Sequence, residues 1–192
     1  MYTLLYNKYI RPSPMLLPKK KEGMLHRTRF IRIFDLRNIS MVQFVAHMIQ
    51  NDEYYMRKAL YEAQQAWQAE EVPVGAVIVC RGDIIGRGFN LVETLRDATA
   101  HAEMQAITSA SQALGGKYLH DCTLYVTVEP CPMCAAALGW SQIGRIVYGT
   151  GDAKRGYRLL APGVLHPRTK VTSGILEEEC RQLMKDFFRK RR

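Results

Sequence analysis

The chain has 192 residues, 47% hydrophobic and 23% charged, with a formal net charge of +9. That length accommodates one domain, or one domain with a tail, and no run approaches the roughly 20 apolar residues of a membrane-spanning helix. Five cysteines, an odd number with no secretory signal ahead of them, argue against a disulfide scaffold and for a reducing, cytoplasmic setting.

The charge is unevenly placed. Residues 1–48 hold nine Lys/Arg against Glu22 and Asp35, which is +7 of the +9. The rest is nearly balanced, with 18 basic and 16 acidic side chains. The pattern is a basic leader, a near-neutral domain and a basic end at Arg189-Lys190-Arg191-Arg192. The leader has no helical or strand period, and Pro12, Pro14 and Pro18 interrupt it. It reads as a disordered basic arm, as an Arg-rich targeting peptide, or as sequence upstream of a true start at Met41 or Met48. The folded domain is expected over 49–192.

From Asn51 the pattern becomes regular. Met56, Ala59, Leu60, Ala63, Ala66 and Trp67 recur at three- and four-residue steps, predicting an amphipathic helix. After Pro73, Val74 to Cys80 suits a buried strand, and Arg81-Gly82-Asp83 reads as a hairpin turn into a second strand, Ile84 to Phe89. A polar loop leads to a helix starting near His101 and ending before Gly115-Gly116. Thr123 to Val128 is a third strand, Pro132 opens another helix, and Arg145 to Tyr148 is a fourth strand. Lys170 to Thr172 is a short fifth, and Leu176, Cys180, Leu183, Met184 and Phe187 stripe a final helix. This order predicts an α/β fold, one mixed sheet of about five strands covered by helices on both faces as a three-layer α-β-α sandwich.

Three stretches carry chemistry: His101-Ala102-Glu103, Pro130-Cys131-Pro132-Met133-Cys134, and the spacing between them. Cys131 and Cys134 lie three apart at a helix start, so both sulfurs fall on one face, where the helix dipole favours thiolates. With His101 they could supply three tetrahedral ligands to zinc and leave a fourth position open, as in catalytic rather than structural sites. A thioredoxin-like redox pair also places C-x-x-C at a helix start, but redox chemistry has no use for His-x-Glu on another helix. Cys80, Cys122 and Cys180 read as core or incidental cysteines, and His120 and His166 as solvated loop residues. Glu103 reads either as a first-turn acid favoured by the helix dipole or as a general base beside the metal. Residues two apart on a helix do not face the same way, so His101 and Glu103 share a pocket only if it wraps the first turn.

H-A-E followed by P-C-P-M-C resembles the zinc nucleoside and nucleobase deaminases. Glu71 to Val77, Asp97 to Glu103, Leu124 to Cys131, Ile143 to Gly149, Asp152-Ala153-Lys154 and the ending Asp186-Phe187-Phe188-Arg189 look like the TadA-type tRNA adenosine deaminases. The resemblance implies a cytidine deaminase-like fold, one zinc held by His101, Cys131 and Cys134, and proton transfer by Glu103. It implies that Asn90 hydrogen-bonds the purine ring and that the backbone N–H groups of Ala102 and Cys131 face the reacting oxygen. It further implies hydrolysis of the wobble adenosine of a tRNA anticodon to inosine by a homodimer. Lys154, Phe188 and Arg189 are the expected RNA contacts, with Phe187 a second stacking candidate; Lys154, Arg155 and Arg158 read either as phosphate contacts or as solvated loop residues. Gly156 to Leu165 is unlike the Gly/Ser-containing loop usual for that branch. The competing functions are deamination of free guanine or cytosine and, in a different class, a non-catalytic zinc-stabilised RNA-binding module, against which an intact Glu103 counts.

Overall fold

Asn51 opens the first helix: its side chain accepts the Tyr54 N–H at 2.9 Å, satisfying one of the amides that a helix start leaves free. In the computed structural model, which describes residues 50–191, this helix α1 runs Asp52–Gln68. The basic leader expected over residues 1–48, and Arg192 at the basic end, lie outside the described residues. Strand β1 (Gly75–Cys80) turns through Arg81 and Gly82, both at positive φ, the geometry of a two-residue hairpin, into β2 (Asp83–Phe89). There follow α2 (Val92–Leu95), α3 (Ala102–Leu114), β3 (Cys122–Val128), α4 (Pro132–Trp140), β4 (Arg145–Thr150), α5 (Tyr157–Leu160), β5 (Lys170–Ser173) and α6 (Glu177–Lys190). The four-residue helices α2 and α5 stand where the sequence suggested loops.

The sheet order is β2-β1-β3-β4-β5. β1 pairs antiparallel with β2 and β3, while β3-β4 and β4-β5 are parallel, so the sheet is mixed as expected. Alternation sorts the strands' side chains onto two faces. Ala76, Ile78, Leu124, Val126, Ile146 and Tyr148 pack against α3 and Leu138 of α4. Val77, Val79, Tyr125 and Val147 pack against Tyr55, Met56 and Ala59 of α1 and Cys180 of α6. These are the three predicted layers. α1 is locked to the sheet at its first turn, where Asp52 accepts Arg145 at 2.9 and 2.7 Å and the Tyr125 hydroxyl at 2.9 Å. The Arg145 guanidinium holds the Asp52 carboxyl below its usual range against the opposing effect of burial.

The register decides where the site forms. Gly75 faces Phe89 across β1-β2, and Ala76 faces Val126 across β1-β3. The C-terminal ends of β2 and β3 therefore lie at one end of the sheet, and the residues that follow them, Asn90 and Glu129 to Cys131, emerge there together. Crevices outside the carboxyl ends of strands are where open α/β sheets bind ligands.

Candidate active site

α3 reaches this end because β2 lets it lie close. A Cβ on Gly88 would stand 2.3 Å from the Ala102 carbonyl oxygen, and one on Gly86 would stand 2.5 Å from that of Ala106. Only glycine allows that approach. The Leu91 N–H donates to the Ala100 carbonyl at 2.9 Å, which ties the residue after Asn90 to the residue before His101.

His101 is the N-cap of α3, in extended backbone conformation, and Cys131 is the N-cap of α4. Cys134 lies one turn into α4 and is fully buried. His101 Nδ1 stands 3.7 Å from Cys131 Sγ and 3.5 Å from Cys134 Sγ. The three donor atoms lie within 4.8 Å of one another, and among the described residues they form the one such group of three or more His, Cys, Asp or Glu. Tetrahedral zinc with the usual bond lengths would set nitrogen–sulfur separations of about 3.6 Å, so the donor set fits that ion. Between the sulfurs, a hydrogen bond from Cys134 holds Cys131 down at about 4. The same bond, with burial, pushes Cys134 up. The bond to Cys131 also raises His101, against desolvation.

Glu103 is buried at 3% exposure. Burial pushes its carboxyl up, with the Cys131 sulfur adding to the shift. His101 caps the helix from outside it while Glu103 is the second helical residue, and the two are near enough for each to act on the other's charge. Ala102, also buried, is the first. Its N–H belongs to the first turn, whose amides have no intrahelical acceptor.

Asn90 is 7% exposed and Glu71 fully buried. Asn90 Nδ2 donates to Glu71 Oε2 at 2.9 Å, and the Thr94 N–H donates to Glu71 Oε1 at 2.7 Å. Burial would raise the Glu71 carboxyl, but the hydrogen bonds from Thr94, Glu93 and Asn90 prevail and hold it low. Sequence reasoning missed Glu71 as a partner, and missed Glu129 too. The Glu129 carboxylate, 5% exposed, accepts the Asp152 N–H at 3.2 Å and the Arg158 N–H at 3.0 Å. With the Tyr157 N–H to Pro130 carbonyl bond of 3.0 Å, it fastens the 151–158 segment to the chain entering Cys131.

Arg158 pairs with Glu129 at 3.3 Å and lies over the Tyr148 ring, with 58% of its side chain exposed. Phe187 corrects one expectation: it is 4% exposed and packs edge-on against Trp67, which leaves no face for a base. Phe188 is 47% exposed, Lys154 and Arg155 are exposed, and Arg189 pairs with Asp186 at 2.8 Å while remaining 80% exposed. Arg191 donates to the Glu70 carbonyl, which brings the end of α6 to the residue beside Glu71. His120 and His166 lie in loops, and Cys122 and Cys180 in the core.

The family model for the cytidine and deoxycytidylate deaminase zinc-binding region matches residues 49–150. The chain belongs to that family. It is 46% identical over 146 residues to the tRNA-specific adenosine deaminase of Bacillus subtilis, a match covering 73% of this chain and 91% of the relative. It is 45% identical over 161 residues to the chloroplastic tRNA(adenine(34)) deaminase of Arabidopsis thaliana, again over 73% of this chain but spanning only 12% of that much longer relative. Among solved structures, one from work on A-to-I editing by tRNA:A34 deaminases at the wobble position superposes with a TM-score of 0.63. It is 41% identical and covers 68% of this chain and 98% of its own. A guanine deaminase from Bacillus subtilis is 42% identical, with a TM-score of 0.51 over 53% of this chain and 65% of its own. The zinc-binding deaminase fold expected from the motifs is thus the fold of this family.

Proposed function

We propose that this deaminase hydrolyses the C6 amino group of the wobble adenosine in a tRNA anticodon stem-loop, giving inosine and ammonia. One observation carries the reading: His101, Cys131 and Cys134 converge beside a buried Glu103, in a chain that aligns with nearly the whole of a tRNA-specific adenosine deaminase. His101, Cys131 and Cys134 would hold zinc, which when bound supplies a Lewis acid that makes water nucleophilic near neutral pH.

The chain's own residues handle the protons. Glu103 takes a proton from the attacking water and passes it to purine N1 as the C6–O bond forms. It then carries the second proton to the amino group, and the C6–N bond breaks with loss of ammonia. Burial raises the Glu103 carboxyl toward the range in which one group can both accept and return a proton. Asn90 orients the purine, and the Ala102 and Cys131 amides face the developing oxyanion. Lys154, Phe188 and Arg189 contact the stem-loop, with Phe188 offering a free ring face for stacking.

The same reading makes the enzyme a homodimer. Trp140 is 84% exposed at the end of α4, and Leu159 and Leu160 of α5 are 61% and 57% exposed. Large apolar side chains left this exposed suit contact with a second copy. The proposed setting is cytoplasmic, where five free thiols stay reduced. Among the described residues no helix is long and apolar enough to cross a membrane. The likeness to a guanine deaminase supports one rival, deamination of a free base at the same site. Incubating the zinc-loaded full chain with an anticodon stem-loop, guanine or cytosine separates the two. Inosine in the stem-loop with both bases untouched supports the proposal, and turnover of a free base with an untouched stem-loop refutes it.

A further inference from the structure

We infer that Glu71 is a positioning residue for base recognition: it fixes the side-chain amide of Asn90 in one of its two orientations. The inference rests on the reading above, in which Asn90 meets the purine. A carboxylate is acceptor-only, and both Glu71 oxygens are engaged, Oε1 by the Thr94 N–H and Oε2 by Asn90 Nδ2. Turning the Asn90 amide over would set its carbonyl oxygen against Oε2, two acceptors face to face, with the Glu71 side fully buried. The Asn90 backbone cannot move to compensate, because its N–H donates to the Val74 carbonyl and the next N–H donates to that of Ala100. One Asn90 N–H is therefore spent on Glu71. The carbonyl Oδ1 and the second N–H remain for the base, so polarity at this wall of the site is set by a residue that does not touch the substrate.

Glu71 also braces the turn into α2 through Thr94, and that purely structural role must be separated from positioning. Glu71→Gln keeps the shape and the Thr94 bond but points an N–H₂ at Asn90. The Asn90 amide then turns over to accept, and it presents the opposite polarity to the base. The test compares kcat/KM on the stem-loop for the full-length wild type, E71Q, N90A and E71Q/N90A, with zinc content and thermal midpoint measured alongside.

Positioning through Asn90 predicts that E71Q lowers kcat/KM about 10–100-fold, the scale of a lost charge-assisted hydrogen bond, with zinc retained. It also predicts that E71Q adds almost nothing once Asn90 is alanine. An equal loss in both backgrounds, or no loss in E71Q, overturns the inference. A wild type inactive on the stem-loop would instead overturn the functional reading beneath it. If E71Q does not fold, the Asn90 side-chain amide signals of the wild type decide by nuclear magnetic resonance. One proton shifted downfield and protected from exchange supports the inference, and two rapidly exchanging protons refute it.

Discussion

His101 and Cys131 occupy the same position on two different helices, each the N-cap in nearly the same extended backbone conformation, with φ −72° in both and ψ of 156° and 168°. Two helix starts thus aim their free amides and positive dipole ends at one point. Thiolate charge is stabilised there, and neither cap side chain is used to satisfy its own helix. Both helices give up a local cap, and the ligand set accounts for that choice.

Replacing a donor should therefore remove metal. The wild type should carry one zinc per chain by elemental analysis, and His101→Ala or Cys134→Ala should lose it. Full occupancy in a Cys131/Cys134 double variant would exclude this site.

Glu103→Ala should keep zinc yet lose about 10²–10⁴-fold in kcat, the usual contribution of general acid–base catalysis. Turnover close to wild type, with zinc retained, would put the proton transfer elsewhere.

Gly88→Ala should affect the site from behind. The added methyl meets the Ala102 carbonyl oxygen at 2.3 Å, so α3 must move away from β2 and carry His101 with it. Overpacking of this kind costs about 1–3 kcal/mol, and urea unfolding should show that loss together with weaker zinc retention. Wild-type values for both would mean that the close approach does not set the donor geometry.

The Asp52–Arg145 pair gives an acid-side dependence. Asp52 is held below its ordinary value of 3.8 in the folded state, chiefly by the Arg145 hydrogen bond. Its stabilisation is complete above the unfolded value and fades as pH falls through the folded one. Asp52→Asn should cost about 1–2 kcal/mol at pH 7, and the gap to wild type should narrow between pH 5 and pH 3. A gap independent of pH would show that the carboxylate charge contributes nothing.

Much of this architecture was legible because it rests on local rules. The three- and four-residue stripe of α1, the Arg81-Gly82 turn and the C-x-x-C at a helix start each declare themselves within a few residues. What stayed hidden depends on distant partners. Glu71 and Glu129 fall inside family-like segments, but only the fold supplies their partners Asn90 and Arg158, 19 and 29 residues away. Four-residue helices such as α2 and α5 are too short to show a period. Phe187 and Phe188 are adjacent and chemically identical, yet the helix turns the first onto Trp67 and the second to solvent.

That division of roles gives a further test on RNA. Lys154→Gln should lower the salt dependence of stem-loop binding by about one phosphate contact, whereas Arg158→Ala should leave the salt slope unchanged and loosen the 151–158 segment instead. A reduced slope in the Arg158 variant would place that residue on the RNA surface as well.

The proposed reaction is hydrolysis at one nucleotide. The most direct measurement runs the zinc-loaded full chain on an anticodon stem-loop in water labelled with heavy oxygen, then reads each nucleotide by mass spectrometry. One heavy oxygen should appear in the wobble nucleotide, now inosine, with one ammonia released per conversion and no label elsewhere. An unlabelled stem-loop whose adenosines are all intact after incubation with folded, zinc-replete protein would contradict it.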